Sequence, residues 1–206
     1  MASPPLPWLK PAVLAGGLAP LALLIMQGAQ GTLGPNPIEA VLNQTGLMAL
    51  VFLVGSLACT PLKVLFGWTW PIRIRKLVGL MAFAYAVIHF LTYAVADQGL
   101  KWGPIVADIT KRKFIAVGFI ALMLLVPLAV TSTNAAVRRM GFPAWQRLHR
   151  LVYVAAALGV IHFVWRVKKD ATEPFIYGAV LALLLGIRVV EAVRKRRRAR
   201  PAPRPA

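Results

Sequence analysis

The 206-residue chain is 59% hydrophobic, has a mean hydropathy of +0.69, and contains far more apolar residues than a soluble domain of this length needs for its core. Its formal net charge of +18 would suggest a nucleic-acid-binding protein if the chain were soluble. In an apolar chain, however, basic residues also mark the loops that stay on the cytoplasmic side of a membrane. The composition therefore indicates an integral membrane protein and argues against a nucleic-acid partner.

Six apolar stretches approach the roughly 20 residues that an α-helix needs to cross about 30 Å of hydrocarbon. They lie at about 10–30, 42–62, 77–97, 114–132, 145–166 and 174–193. The first stretch also resembles a secretory signal peptide, but its length and its internal Pro20 favour a retained helix. The sequence thus predicts an all-α integral membrane protein built as a bundle of six transmembrane helices.

Basic residues are distributed unevenly between the two sides of this bundle. If both termini are cytoplasmic, 16 basic residues lie on the cytoplasmic side, 7 lie on the outer side, and Arg188 lies within the sixth span. The positive-inside rule then predicts that the N-terminus and the C-terminus both face the cytoplasm. The run from Lys111 to Lys113 opposes this orientation, because three adjacent cations resist export.

Nothing outside the spans has the length or composition of a soluble domain. Residues 1–193 are predicted to form one membrane domain, followed by a basic, Arg/Pro-rich cytoplasmic tail, 194–206, which is predicted to be disordered and held near anionic lipid. The segment 98–113 is predicted to contain a short helix lying on the outer membrane surface. Arg188 and Glu191, three residues apart in the sixth span, are expected to pair.

Two of the three histidines, His89 and His162, lie at matching depth in spans three and five, which cross the membrane in the same direction. His89 comes 14 residues after Arg75 and His162 comes 12 residues after Arg150, so each imidazole lies about 20 Å from the inner edge. Level imidazoles on two helices suit the axial ligands of a low-spin haem, because neutral histidine nitrogen binds iron and an apolar shell keeps the porphyrin dry. A lone intramembrane histidine often forms only a hydrogen bond between helices, but a depth-matched pair favours one haem between helices three and five.

His149 lies about 20 Å below His162 on the same predicted helix, between Arg147 and Arg150 at the inner face. On an ideal helix the two histidine side chains point about 140° apart and do not share one face. The chain has no fourth histidine to complete a second bis-histidine site, and Arg75 stands at the depth of His149 on helix three. Arg75 can pair with a haem propionate but is a poor iron ligand. The alternative for His149 is an interfacial residue near lipid phosphate, or a contact to flavin or quinone.

The residues around the histidines resemble those of a known family. The matching segments are RKLVGL (75–80), YAVIHFLTY (85–93), TS (131–132), WQRLHRLVY (145–153) and His162. They resemble the haem-binding membrane subunits of the bacterial periplasmic methionine-sulfoxide reductase system, the MsrQ family, within the ferric-reductase-like transmembrane group. The resemblance covers nearly the whole chain, but the N-terminal residues and the Arg/Pro-rich tail add nothing to it.

The resemblance implies that His89 and His162 bind haem b, and that His149 is a ligand or close neighbour of a second haem or of the site of electron uptake. The broader group often has a histidine on helix three where this chain has Arg75, so the number of haems, one or two, stays open. The family is also associated with FMN and with electrons from the quinone pool or a cytosolic flavin reductase. The resemblance further implies that the chain is an electron-transfer subunit of the inner membrane. It would supply electrons to a separate periplasmic molybdopterin-containing catalytic subunit, which repairs oxidised methionine in exported proteins.

Two other interpretations stay open. The chain could be a ferric or cytochrome b561-like reductase that acts on metal or quinone, or a cofactor-free transporter or assembly factor in which the histidines relay protons. A redox-sensitive Soret band in purified membranes separates a haem protein from a transporter.

Overall fold

The computed structural model describes residues 6–167 and 170–198, and within these ranges the chain is helical, with no β-strand. The predicted tail residues from 199 onward lie outside the described residues. The helices are α1 (Leu9–Ala29), α2 (Pro37–Phe66), α3 (Trp70–Leu91), α4 (Trp102–Lys111), α5 (Lys113–Val130), α6 (Asn134–Met140), α7 (Phe142–His149), α8 (Leu151–Arg166) and α9 (Thr172–Arg198).

Six helical segments are long and apolar enough to cross a membrane. They are Leu9–Ala29, Pro37–Phe66, Trp70–Asp97, Lys113–Val130, Phe142–Arg166 and Thr172–Arg198. The prediction of an all-α, six-span protein is therefore confirmed. Several spans extend beyond the predicted stretches, because polar and basic residues continue the helices past the apolar segments. The last span, for example, continues as helix to Arg198, whereas the sequence placed the start of the tail at Arg194.

Local sequence fixes both ends of α2, the helix that supports part of the histidine site. The Asn36 side chain accepts a hydrogen bond from the Glu39 backbone nitrogen at 3.3 Å, and Pro37 occupies the first helical turn, where its missing N–H costs nothing. At the other end, Gly67 adopts φ 72°, the left-handed conformation that terminates helices and that other residues rarely tolerate. These signals define a long α2, which packs antiparallel to α3.

Two helical hairpins meet in the core. α2 packs most extensively against α3, α5 packs against α8, and α9 lies against α2 and α8. Where the hairpins meet, Ala82, Ala155 and Ala156 are at most 1% exposed and allow close approach of the helix backbones. Larger apolar residues fill the remaining volume of this core, namely Leu50, Leu53, Val54, Leu57, Leu125, Leu128, Leu181 and Leu184.

The fifth span is not one regular helix. It divides at Arg150 into α7 and α8, and the backbone nitrogens of Arg150 and Tyr153 bond to carbonyls only three residues earlier, at Arg147 and Arg150. Such tightened turns rotate the following residues relative to an ideal α-helix. The angle of about 140° between the His149 and His162 side chains assumed one ideal helix, and this assumption was wrong. The helix is irregular at Arg150.

The third span ends in an irregular turn as well, because residues Thr92–Asp97 form a π-helical segment directly after α3. Beyond it, the short helix predicted within residues 98–113 is present as α4, in which Ile105 is buried while Trp102 and Val106 are exposed; its position on the membrane surface stays a prediction. The Tyr93 hydroxyl donates to Asp108 Oδ2 at 3.1 Å and connects α4 to the π-helical turn.

The expected pair between Arg188 and Glu191 was wrong. Glu191 Oε1 lies 3.3 Å from Lys195 Nζ, four residues further along α9. Arg188 instead reaches across the bundle to the Tyr153 hydroxyl and the Leu57 carbonyl. Tertiary contacts therefore outweigh the local three-residue spacing at this position.

Candidate cofactor site

The structure brings His89 and His162 together between α3 and α8. Their ring centroids lie 6.1 Å apart and the ring planes are nearly perpendicular, at 82°. A small cavity of about 210 Å³, here called the pair cavity, borders both rings and is lined mainly by apolar side chains such as Phe90 and Phe119. The equal depth deduced from residue counting thus corresponds to direct proximity in space.

A backbone carbonyl fixes the orientation of each imidazole of this pair. His89 Nδ1 lies 2.9 Å from the Leu42 carbonyl oxygen, and His162 Nδ1 lies 2.7 Å from the Phe114 carbonyl oxygen. A carbonyl can only accept a hydrogen bond, so each Nδ1 carries the proton and donates it. Each Nε2 therefore keeps its lone pair, which is the arrangement found in metal-binding histidines.

A glycine makes room for each of these hydrogen bonds. A Cβ atom at Gly118 would lie 2.6 Å from His162 Nδ1, and a Cβ atom at Gly46 would lie 3.0 Å from His89 Cε1. Real Cβ atoms essentially never come within 3.0 Å of another atom, so a side chain at Gly118 would displace the His162 imidazole, whereas one at Gly46 would make an unusually tight contact that a shift of a few tenths of an ångström relieves. Sequence reasoning missed both glycines. The one shared feature in the sequence is a glycine four residues after each residue whose carbonyl accepts from a histidine, and this spacing is recognisable only once those carbonyls are known.

The two hairpins hold their histidines by the same arrangement. In each hairpin, the carbonyl residue and the glycine are four positions apart on one helix, Leu42 with Gly46 and Phe114 with Gly118, and the histidine follows on the partner helix. The histidine comes 47 residues after the carbonyl residue in the first hairpin and 48 residues after it in the second. The sequence shows no matching repeat, so the relation between the hairpins is structural and rests on a few residues.

Arg166 stands at the edge of the pair cavity, four residues after His162. Its Nη2 lies 3.6 Å from Glu39 Oε1, and its side chain is 31% exposed. The guanidinium is therefore only partly covered and can pair with a further anionic group at the cavity. Sequence reasoning had counted this arginine only as one of the basic residues of an outer loop.

His149 lies away from the pair, at the end of α7. Its ring stacks on Trp145 with centroids 4.0 Å apart, and its Nε2 lies 3.0 Å from the Thr131 hydroxyl oxygen. Thr131 donates its single hydroxyl proton to the Pro127 carbonyl at 2.6 Å, so His149 Nε2 must be the donor in this contact. His149 thus has the tautomer opposite to that of His89 and His162, with its lone pair on Nδ1.

A larger cavity of about 620 Å³ lies beside His149, and we call it the basic cavity. Arg75, Lys76, Arg150 and Arg188 contribute positive charge to its lining. Aromatic rings also line it, including Phe83, Phe142 and Trp145, and the remaining described lining is apolar or neutral. The structure therefore places Arg75 and His149 around the same cavity, as their equal predicted depth suggested.

The residues described here contain no group of three or more His, Cys, Asp or Glu side chains that could hold a metal ion by themselves. A haem needs fewer ligands from the protein, because the porphyrin supplies four nitrogens and two axial positions remain. The histidine pair is thus suited to iron in a porphyrin rather than to a bare cation.

The sequence matches the ferric reductase-like transmembrane component family over residues 42–160, which include His89 and His149. It is 52% identical over 189 residues to the protein-methionine-sulfoxide reductase heme-binding subunit MsrQ of Rhodospirillum rubrum, covering 92% of this chain and 91% of that protein. The chain belongs to the MsrQ family. The corresponding subunit of Deinococcus radiodurans is 49% identical over 197 residues, covering 96% of this chain and 97% of that protein. The Ralstonia nicotianae subunit is 50% identical over 174 residues, which cover 84% of this chain and 80% of that protein.

Membership of the MsrQ family agrees with the resemblance found around the histidines. The ferric-reductase-like match ends at residue 160, two residues before His162, so it contains only one member of the histidine pair. The geometry of the pair is therefore an observation on this chain that is independent of that match.

Proposed function

We propose that this chain is a b-type cytochrome, the haem-binding and electron-transferring membrane subunit of a methionine-sulfoxide reductase, with one haem between His89 and His162. The observation that carries the proposal is that both histidines donate from Nδ1 to a backbone carbonyl, which leaves two Nε2 lone pairs on adjacent rings. The relatives, which are named as heme-binding subunits of protein-methionine-sulfoxide reductase, support it.

The spacing of the rings fits two axial ligands on one ion. An imidazole nitrogen binds a metal at about 2 Å and its ring centroid lies about 1 Å further back, so two imidazoles that would hold one metal ion between them would have centroids up to about 6 Å apart. The observed separation of 6.1 Å agrees with this value. Perpendicular ring planes are compatible with trans ligation, because each ring can rotate about its own bond to the metal.

The surroundings of the pair also suit a porphyrin, with one adjustment. The lining of the pair cavity is apolar around Phe90 and Phe119, and Arg166 offers a positive charge for a propionate. The cavity volume of about 210 Å³ is below the roughly 300–1,000 Å³ of typical ligand sites, so binding must displace bordering side chains. A bound haem would supply one-electron chemistry, while this chain's residues hold, orient and dehydrate it.

We assign the basic cavity to electron uptake, with His149 and Arg75 as cofactor-binding residues. His149 donates to Thr131 through Nε2, so ligation of iron by that nitrogen would require Thr131 to release it. A neighbouring role, in which His149 bonds or covers a second haem, a flavin or a quinone, needs no such change. The proposal that FMN binds here rests on the family resemblance alone.

The charge distribution supports an orientation of the bundle, and the proposed direction of transfer rests on that orientation together with the family resemblance. With 16 basic residues at the cytoplasmic side and 7 outside, the basic cavity faces the cytoplasm and the histidine pair lies nearer the periplasm of a bacterial inner membrane. Electrons would pass from the quinone pool or a cytosolic flavin reductase to a periplasmic molybdopterin-containing catalytic subunit. The chain itself would carry electrons and leave the reduction of methionine sulfoxide to that subunit.

The matched family name favours a second candidate, a ferric or cytochrome b561-like reductase. An oxidation experiment in proteoliposomes distinguishes the two candidates. The protein is first reduced, and its rate of re-oxidation is then measured with two acceptors. Our proposal requires re-oxidation by the catalytic subunit with methionine sulfoxide to be faster than re-oxidation by a ferric chelate. A wild-type protein without any Soret band would instead favour the cofactor-free transporter or assembly factor.

Histidine substitution tests the haem assignment directly. We expect His89→Ala and His162→Ala each to abolish the same low-spin spectral species, since loss of either axial ligand opens a coordination position. His149→Ala is the matched control, because it removes an imidazole of the same span at the other cavity. A full bis-histidine spectrum in either of the first two variants would contradict the pairing.

A further inference from the structure

Arg188 is a cation that packs against the apolar core, and within residues 6–167 and 170–198 no carboxylate pairs with it. Its Nη1 donates to the Tyr153 hydroxyl at 3.0 Å and its Nη2 donates to the Leu57 carbonyl at 2.6 Å. Leu57 belongs to the core and is 3% exposed. A charged side chain in a membrane-spanning segment is costly and commonly marks a binding site or a transfer path.

The hydrogen-bonding capacity of this guanidinium is only partly used. A guanidinium has five N–H donors, and within the described part of the chain Arg188 makes the two bonds to Tyr153 and Leu57. Its Nε is buried and has no hydrogen-bond partner among the described residues, and the same holds for the hydroxyl of Thr60. Arg188 and Thr60 both line the basic cavity. Buried donors in native proteins usually have partners, so these two atoms indicate a missing acceptor.

The charge around the cavity indicates the same missing group. Arg75, Lys76 and Arg150 line the basic cavity together with Arg188, and no carboxylate is among its described lining residues. Arg75, Lys76 and Arg150 are exposed, so solvent and salt screen part of their mutual repulsion, whereas Arg188 is partly buried and is screened less. A negative group bound among them would relieve this repulsion.

We propose that the basic cavity binds the oxyanion group of an amphiphilic or ring-bearing molecule, with Arg188 as its deepest anchor. A planar guanidinium fork matches the oxygens of a carboxylate or phosphate, and Phe83, Phe142 and Trp145 offer apolar contact for the rest of the molecule. A haem propionate, a flavin phosphate and a phospholipid phosphate share this chemistry. The inference rests on the proposed function only in placing electron uptake at this cavity.

The first measurement counts what the purified protein carries. Haem, extractable flavin nucleotide and phospholipid phosphate are determined per chain in detergent for the wild type, Arg188→Gln and Arg147→Gln. Arg147→Gln is the control, because Arg147 is an exposed cation of α7, near the cavity residue His149, and does not itself line the cavity. We expect one of the three molecules to fall at least fivefold in Arg188→Gln and to stay unchanged in Arg147→Gln, and the molecule that falls identifies the source of the oxyanion.

The second measurement applies when none of the three copurifies in stoichiometric amount. FMN and riboflavin differ only in the phosphate, and their binding is followed by quenching of flavin fluorescence. We expect the wild type to bind FMN at least tenfold more tightly than riboflavin, and we expect this preference to disappear in Arg188→Gln.

The spectrum of the histidine pair shows whether each variant is folded, because Arg188 is not among the residues that line the pair cavity. If Arg188→Gln loses this spectrum, Arg188→Lys is measured in its place. Lysine keeps the positive charge but not the planar guanidinium, so we expect the bound molecule to fall at least threefold relative to the wild type. Unchanged occupancy in the folded variant, an equal loss in Arg147→Gln, or no preference for FMN in an empty wild-type cavity would each overturn the inference. A wild type without the bis-histidine spectrum would instead refute the proposed function.

Discussion

The two glycines under the histidine pair allow a prediction whose size and order come from the structure. In Gly118→Ala, the new Cβ would lie 2.6 Å from His162 Nδ1, whereas ordinary contact begins near 3.4 Å, so the imidazole must retreat by about 0.8 Å. Its Nδ1 lies 2.7 Å from the Phe114 oxygen. Such a retreat stretches that distance to about 3.5 Å, beyond the range of a hydrogen bond.

Gly46→Ala should have a smaller effect. Its Cβ would lie 3.0 Å from His89 Cε1 and 3.1 Å from Nδ1, so a shift of about 0.4 Å restores ordinary contact. The hydrogen bond to the Leu42 carbonyl, now 2.9 Å, then lengthens but is retained. The structure thus orders the variants, with Gly118→Ala the more damaging.

The magnitude follows from the role of such hydrogen bonds in metal sites. Loss of a partner that orients a metal-binding histidine typically costs about 10–100-fold in affinity. We expect a loss of haem affinity in this range for Gly118→Ala and less than about tenfold for Gly46→Ala. Because the lost bond also made the imidazole more basic and so favoured ferric iron, the reduction potential of the Gly118→Ala haem should rise.

The assay combines haem content per chain, the Soret spectrum and a potentiometric titration. Gly186→Ala is the control, because a Cβ at that position on α9 meets nothing within 4 Å. A general loss of stability would lower haem content without shifting the potential of the haem that remains. Wild-type content and potential in Gly118→Ala, or greater damage in Gly46→Ala, would refute the reasoning.

Two predictions concern the direction of electron transfer. The positive-inside rule predicts that the C-terminus is cytoplasmic. An alkaline phosphatase fused after Arg200 should therefore be inactive, and a fluorescent protein fused at the same position should be fluorescent. The reverse pattern would contradict the six-span orientation. In stopped-flow experiments, His149→Ala should slow reduction by the cytoplasmic donor while dithionite still reduces the haem of the pair, since His149 lines the basic cavity only. Normal donor-driven kinetics in that variant would remove His149 from the path.

The spans and the proximity of the histidine pair were predictable because they depend on regular quantities. Hydropathy identifies segments of membrane length, and the fixed rise of an α-helix converts the separations of His89 from Arg75 and of His162 from Arg150 into equal depths. The ring separation of 6.1 Å shows that the two histidines predicted at equal depth also lie close together in space.

The supporting contacts were not predictable by the same means. Glycine occurs in membrane helices for many reasons, and nothing at Gly46 or Gly118 shows which side chain occupies the space above it. Arg188 illustrates the same limit, because the spacing to Glu191 is a local signal whereas its actual acceptor, the Leu57 carbonyl, is 131 residues away in the sequence. Contacts between distant segments depend on the packing of α9 against α2 and α8, which periodicity alone does not specify.

The structural relation between the hairpins breaks down at the basic cavity, and this break has a functional consequence. Arg75 precedes His89 by 14 residues and His149 precedes His162 by 13, so the two residues occupy corresponding positions in the two hairpins. One position carries a permanent cation and the other an imidazole whose Nε2 is bonded to Thr131. Two equivalent hairpins therefore offer two nitrogen lone pairs at one level, and a guanidinium beside a single imidazole lone pair at the other, with Arg75 as the member that can bind an anion. This difference suits one end of the bundle to hold iron and the other to bind a negatively charged donor or cofactor.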